Sequence, residues 1–244
     1  MRLFNYSSLS AAYQCQQYYK YTYIDGLKTP QNGDLAFGSA VHFAVEQSLM
    51  NEEDPVADFQ VYWENVKKQD LKYGRYKHDD LSNMGEIFVS RFHNKYRKRI
   101  EPRLVEQELH TDTFRGTPDC VGEYEGVMSV IDFKTSSTRY NASRAFLSEQ
   151  MHLYAHLAKE TQGIDVKQLV YVVFLKSNTS PIIQVVSEEF NAEHAKRLLD
   201  NTKLQRDDLL KKEVDNTPFS RNLSNCIHGE FKCHFYDKCW KEKQ

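Results

Sequence analysis

The stretch from residue 117 to residue 134 leaves the backbone few choices. Residues 117–124 and 127–134 are two strand-forming runs separated only by Glu125-Gly126. Such a short, turn-forming connection folds them back on each other as an antiparallel hairpin. The second run leaves the apolar pair Val130-Ile131 and continues as Asp132-Phe133-Lys134. Residues two apart on a strand share a face, so Asp132 and Lys134 point the same way. Asp119 lies on the partner strand, and two carboxylates and an ammonium converge at one end of a sheet. Neighbouring carboxylates repel, which raises a pKa unless a cation sits between them. A hard divalent ion, Mg²⁺ or Mn²⁺, suits their oxygens. The lysine can then orient or deprotonate a water and neutralise charge on a phosphate. Taken alone, Asp-x-Lys on a strand is more often an ordinary cross-strand salt bridge on a solvated face.

The remaining periodicity supplies the layers around the hairpin. Helices are expected over 8–23, 39–50, 56–72 and 81–100, with Ser39 as the N-cap of the second and Pro102 closing the helical region. Strand alternation is expected over 104–114, with Arg115-Gly116 as a turn. A helix over 143–159 follows, then a buried strand over 168–175, an edge strand over 182–190 and a long helix capped by Asn191 and running to 212. This order predicts an α/β (α+β) fold, a mixed central sheet flanked by helices. With only 10 Gly and 6 Pro there is no linker, so residues 1–244 read as one domain. Within it, 43–103 is a helical insertion able to arch over the site, and 104–190 is the sheet core.

Apolar runs fall far short of the roughly 20 residues a membrane helix needs. Residues 1–6 carry no signal pattern, so the expectation is a cytoplasmic protein without a membrane partner. Net charge is −2, so nucleic acid could be bound only by a local patch.

Several separated pieces, in a fixed order, resemble the PD-(D/E)xK nuclease superfamily and its RecB-like branch. These are Gly38-Ser39-Ala40-Val41-His42, Pro118-Asp119, Asp132-Phe133-Lys134 and Gln150-Met151-His152-Leu153-Tyr154, with the segment from Tyr6 to Ser10 followed by Cys15 at the start. The resemblance implies a restriction-endonuclease-like core. It also implies a metal held by His42, Asp119, Asp132 and the Phe133 carbonyl, with Lys134 catalytic. Gln150 would position the lysine or the phosphate, and Tyr154 would support it. Glu106 and Glu108 are two candidates for a further acid at the site.

Five cysteines are present, three of them (Cys226, Cys233, Cys239) within fourteen residues. With no secretory signal, metal binding is favoured over disulfides. His228 or His234 could complete a structural Zn²⁺ site, with Gly229 turning the chain between the first two cysteines. The resemblance points instead to a [4Fe–4S] cluster on Cys15, Cys226, Cys233 and Cys239, as in AddB-type and CRISPR-associated exonucleases. The first gap here is longer than in their commonest tail. The region 218–244 would join Cys15 around that cluster. Cys120, next to Asp119, should face the core.

Arg91, Lys95, Arg97, Lys98 and Arg99 form a basic run with interleaved aromatics. A solvated helix face is the ordinary explanation, and one wall of a DNA groove the functional one. The expectation is a divalent-metal-dependent DNA exonuclease acting on single strands or ends, in recombination, repair or phage DNA processing. It would be bacterial or phage-encoded, with a helicase or recombination protein as the partner that opens duplex. The alternatives are a structure-specific or flap endonuclease and a non-catalytic nucleic-acid-binding adaptor.

Overall fold

The computed structural model describes residues 3–51, 54–177, 179–228 and 231–241. Helices α1 (Tyr6–Gln14), α2 (Gln16–Tyr19), α3 (Gly33–Asn51), α4 (Val56–Lys67) and α5 (His78–Lys95) precede strand β1 (Ile100–Val105). Strands β2 (Leu109–His110), β3 (Arg115–Gly116), β4 (Cys120–Tyr124) and β5 (Val127–Ser136) follow. Then come α6 (Ala142–Phe146), α7 (Glu149–Gln162), β6 (Gln168–Leu175), β7 (Ile182–Glu189) and α8 (Ala192–Asp215). The tail holds β8 (Ile227–His228), β9 (Phe231–Lys232) and α9 (Tyr236–Lys241).

The central sheet has the order β1-β4-β5-β6-β7. Only β5 and β6 are parallel, and α6 and α7 make the crossover between them. Glu125 and Gly126 both have positive φ, the geometry that lets a two-residue turn follow the strand twist.

Side-chain alternation divides the sheet into two apolar faces. Cys120, Ile131, Phe133, Val172 and Phe174 pack beneath α3, α4 and α5. Val121, Val130, Tyr171 and Val173 pack beneath α1, α7 and α8. Cys120 is thus in the core, turned away from Asp119. Phe59, Trp63, Phe88 and Phe92 are buried in the first layer, so α4 and α5 pack as a core layer on the sheet.

Several boundaries differ from the sequence expectation, each for a local reason. The first helix breaks at Cys15, whose backbone is extended between α1 and α2. α3 begins six residues before Ser39, because Asn32 accepts the Leu35 amide at 2.9 Å and caps it. Pro102 lies inside β1, which tolerates it as an edge strand with an irregular register between Pro102 and Leu104. Arg115–Gly116 is a strand paired with Leu109–His110, and the Thr111 hydroxyl closes the turn by accepting the Phe114 amide at 3.1 Å. The helix expected over 143–159 is two, since Ser148 caps α7 through the Met151 amide. β6 has the expected bounds, β7 ends one residue earlier at the far edge, and α8 starts from its Asn191 cap.

Candidate active site

Cys120 pairs with Ile131, which sets Asp119 beside Asp132 at the end where β4 begins. Both carboxylates are buried. Asp119 Oδ2 accepts the Phe133 amide at 2.7 Å, which locks it against β5. Lys134 Nζ stands 2.5 Å from Asp132 Oδ2. Asp132 Oδ1, by contrast, is buried without a hydrogen-bond donor. Burial, and then the Asp119 charge, push Asp132 up to about 6 against the pull of Lys134. Burial also raises Asp119. For Lys134, burial works against the charge, but Asp132 and Asp119 outweigh it and hold the ammonium well above its ordinary value.

α3 supplies the opposite wall from the other side of the sheet. Gly38, His42 and Glu46 are four apart, one stripe along the helix. A Cβ on Gly38 would come within 3.2 Å of Thr135 Oγ1, so glycine lets the helix lie close on β5. One turn later, His42 Nδ1 reaches 3.6 Å from Asp119 Oδ2. Burial first, and Lys134 second, pull the imidazole down to about 4, so it is a neutral nitrogen donor near pH 7. Glu46, another turn on, meets Glu106. Glu106 sits where β1 ends, at positive φ, with its amide on the Asp119 carbonyl at 3.2 Å. Burial raises both glutamates, and Asp119 adds to the rise. A cleft of about 520 Å³ is lined by Gly38, His42, Glu46, Glu106 and Lys134, with Tyr62 at its rim. The sequence left Glu106 and Glu108 as undecided alternatives and did not point to Glu46, although its i+4 spacing from His42 was visible. Glu108 instead faces Arg115 at 4.0 Å, beyond this cleft.

On the α7 side, Gln150 donates to the Tyr154 hydroxyl at 3.0 Å, as their i+4 spacing permits. The Tyr154 ring packs on Gly116, where a Cβ would come within 2.7 Å of it. Gln150 and Lys134 line one depression.

The donor set fits a hard divalent cation. His42, Asp119, Asp132 and the Phe133 carbonyl offer nitrogen and oxygen, Asp132 has a buried oxygen, Oδ1, without a hydrogen-bond donor, and the four acids Asp119, Asp132, Glu46 and Glu106 gather about one ammonium. Among the described residues no three His, Cys, Asp or Glu side chains close around one point as placed. The Lys134 ammonium lies against Asp132 where compensating charge is needed.

The cysteines gather elsewhere. Cys15, Cys226, Cys233 and Cys239 line one cavity of about 320 Å³, with His234 also on its wall. None is in a disulfide. The Asn222 amide donates to Cys15 Sγ at 3.5 Å, and Arg221 Nε to Cys239 Sγ at 3.1 Å. Gly229 and the side chain of His228 lie outside the described residues.

The basic run does not line the cleft. Arg97 donates to the carbonyls of Ser48 (2.9 Å), Leu49 (3.1 Å) and Ile100 (2.9 Å), closing the C-terminus of α3. Arg99 pairs with Glu125 at 3.4 Å, at the hairpin end of the sheet opposite Asp132. Arg91 donates to the Pro181 carbonyl. Lys95 and Lys98 are exposed beside them. Arg91 and Arg97 are thus anchored at a helix-to-strand junction, while Lys95, Lys98 and Arg99 stay exposed.

A family model described as the PD-(D/E)XK nuclease superfamily matches residues 3–239. The fold is similar to the crystal structure of a "Putative exonuclease" from Eubacterium rectale, with a TM-score of 0.59 over 96% of this chain and 97% of that one, at 11% identity. A second solved structure, SSO0001, aligns over 81% of this chain and 84% of its own at 13% identity, with a TM-score of only 0.26. No curated protein matches the chain. No helix among the described residues is long and apolar enough to cross a membrane.

Proposed function

Because the chain belongs to the PD-(D/E)XK nuclease superfamily, we propose that it is a divalent-metal-dependent DNA exonuclease of the RecB-like kind. The observation that carries this is the pair of buried carboxylates Asp119 and Asp132 with the Lys134 ammonium against Asp132 Oδ2, Asp132 Oδ1 left without a donor, and His42 facing them. Asp119, Asp132, His42 and the Phe133 carbonyl would hold Mg²⁺ or Mn²⁺. When bound, such an ion polarises the phosphoryl oxygens and offsets charge on the leaving oxygen. Lys134, kept charged by its two carboxylates, orients the attacking water and steadies the phosphate. Gln150, tied to Tyr154, steers the phosphate from the depression it shares with Lys134.

Asp132→Asn and Lys134→Ala should each remove Mn²⁺-dependent nucleotide release from linear single-stranded DNA by roughly a thousandfold, an electrostatic loss of about 4 kcal/mol. Full activity in either variant refutes the assignment. An endonuclease is the second reading, for a cleft walled by α3 and by Tyr62 of α4. Circular single-stranded DNA separates the two, since an exonuclease leaves it whole. The intact acid–lysine set argues against a non-catalytic adaptor. We further propose that Cys15, Cys226, Cys233 and Cys239 hold a [4Fe–4S] cluster. The support is one cavity lined by all four cysteines, with backbone and guanidinium N–H groups donating to Cys15 and Cys239.

A further inference from the structure

Lys134 is a wall shared by two depressions. On one side lies the acidic cleft with His42 and Glu46. On the other is a depression of about 560 Å³ that runs from Lys134 past Gln150 and Tyr171 to Arg144. The hydrolytic step described above uses only its Lys134–Gln150 end, and the stretch from Tyr171 to Arg144 lies beyond it.

Arg144 lies over the Tyr140 ring, its guanidinium carbon 3.7 Å from the centroid. It is exposed and pairs with no carboxylate among the described residues. Tyr140 is held from two sides. Its ring meets Tyr171 edge-on at 5.2 Å. Its backbone is gripped by Gln184, which accepts the Tyr140 amide at 3.1 Å and donates to its carbonyl at 2.9 Å. Gln184 pairs with Val173, and Val173 with Lys134, so all three share one sheet face. The sheet that carries the lysine thus fixes the loop that carries the arginine. The other polar walls are neutral amides and hydroxyls from Asn141, Ser143 and Ser148. Glu149, the only carboxylate on the wall among the described residues, accepts the Tyr13 hydroxyl at 3.3 Å.

A flat guanidinium with its charge uncompensated, backed by an aromatic ring and lined by neutral donors, is the chemistry that grips a phosphodiester. We propose that this depression seats the nucleotide adjoining the scissile phosphate, with Arg144 holding the next phosphate along the strand. The proposal rests on the nuclease reading for the location of the scissile bond. It names a substrate-gripping residue that the acid–lysine motif does not contain. Because the grip is on the backbone, it is indifferent to base sequence.

The test uses the full chain and a labelled single-stranded DNA oligonucleotide. Turnover is followed in Mn²⁺, and binding by fluorescence anisotropy in EDTA, both over a salt series. Arg144→Ala should raise KM about tenfold while kcat falls less than threefold. It should also flatten the dependence of log affinity on log salt by about 0.7, one phosphate contact on a single strand. Arg144→Lys, which keeps the charge and loses the stack, should recover the salt slope and about half of the loss in log KM. If wild type cleaves but Arg144→Ala leaves KM and salt slope unchanged, the subsite is refuted and the nuclease reading stands. If wild type binds the oligonucleotide in an Arg144-dependent way without cleaving it, the grip stands and the nuclease reading falls. If wild type neither binds nor cleaves, both fall.

Discussion

Asp132 is a buried carboxylate whose charge is answered by a single ammonium, and that imbalance has a pH signature. Its pKa in the fold is near 6, above the ordinary 3.8, so the folded state holds the proton more tightly than the unfolded chain. Stability from this residue is therefore present at low pH and lost as pH rises from about 4 to 6, on the order of 3 kcal/mol. His42 acts in the opposite sense. Its pKa falls to about 4, so the unfolded chain takes up protons first and stability grows as pH rises from 4 to 6.5. In metal-free wild type the two slopes oppose each other. The raised Asp119, Glu46 and Glu106 impose a loss of stability with rising pH on every variant, so relative to wild type the melting temperature in EDTA should fall more steeply across pH 4–6 in His42→Asn and less steeply in Asp132→Asn. Parallel profiles in all three would show that the two groups are not poised this way. At this scale much of the site was legible, because Asp119, Asp132 and Lys134 are fixed by strand alternation and one tight turn. Glu46 was passed over because an acid on a helix is usually a solvated one. Only packing α3 against the sheet brings it to the cleft.

Element placement, more than element existence, decides the chemistry on α3. The sequence made Ser39 look like a cap after a glycine, so Gly38 seemed to precede the helix. It lies inside, where its missing Cβ lets the helix approach Thr135, and this approach delivers His42 one turn later. Gly38→Ala gains about 0.8–1 kcal/mol of helix propensity but must push a neighbour by a few tenths of an ångström. The expected result is a melting temperature within about 2 °C of wild type and a kcat reduced roughly tenfold, since small displacements of reacting groups are costly. Gly85→Ala on α5 is the contrasting case. Its Cβ would fall 1.9 Å from Phe59 Cζ in a fully buried aromatic layer. Overpacking of about 2–3 kcal/mol should lower the melting temperature by roughly 5–10 °C. A Gly38→Ala enzyme with full kcat would mean that α3 has slack the geometry does not show. Boundaries were misread where tertiary contacts override local signals. Pro102 looked like a helix stop because an edge strand cannot be recognised before its partners are known, and the carbonyl-capping role of Arg97 was not legible because it depends on where α3 ends.

For the molecule as a whole, the two ends of the chain meet. Gln17 donates its amide to the Ser220 carbonyl at 3.0 Å, and Asn225 donates to the Gln14 carbonyl at 2.6 Å. Cys15 stands at the break between α1 and α2 because an extended residue there turns its thiol toward the tail. No spacing in the sequence announces that residue 15 faces residue 226, and only the family resemblance suggested it. The sequence does show three thiols crowded in an irregular tail. Two neutral thiols would need nothing further, but four around one cavity repel as they ionise, and each raises the Cys226 pKa after burial has done so. The proposed cluster would relieve that repulsion and close a loop of about 211 residues between Cys15 and Cys226. Closing a loop of about that length restricts the unfolded chain by roughly 5 kcal/mol. The purified protein should therefore be brown, with about four irons per chain as implied by the proposed cluster. Cys15→Ala and Cys226→Ala should each bleach it and lower the melting temperature by roughly 10–15 °C. A colourless protein with one zinc per chain would assign the cavity to a single tetrahedral ion. Loss of colour in Cys226→Ala but not in Cys15→Ala would confine the cluster to the tail and leave the two ends joined by hydrogen bonds alone.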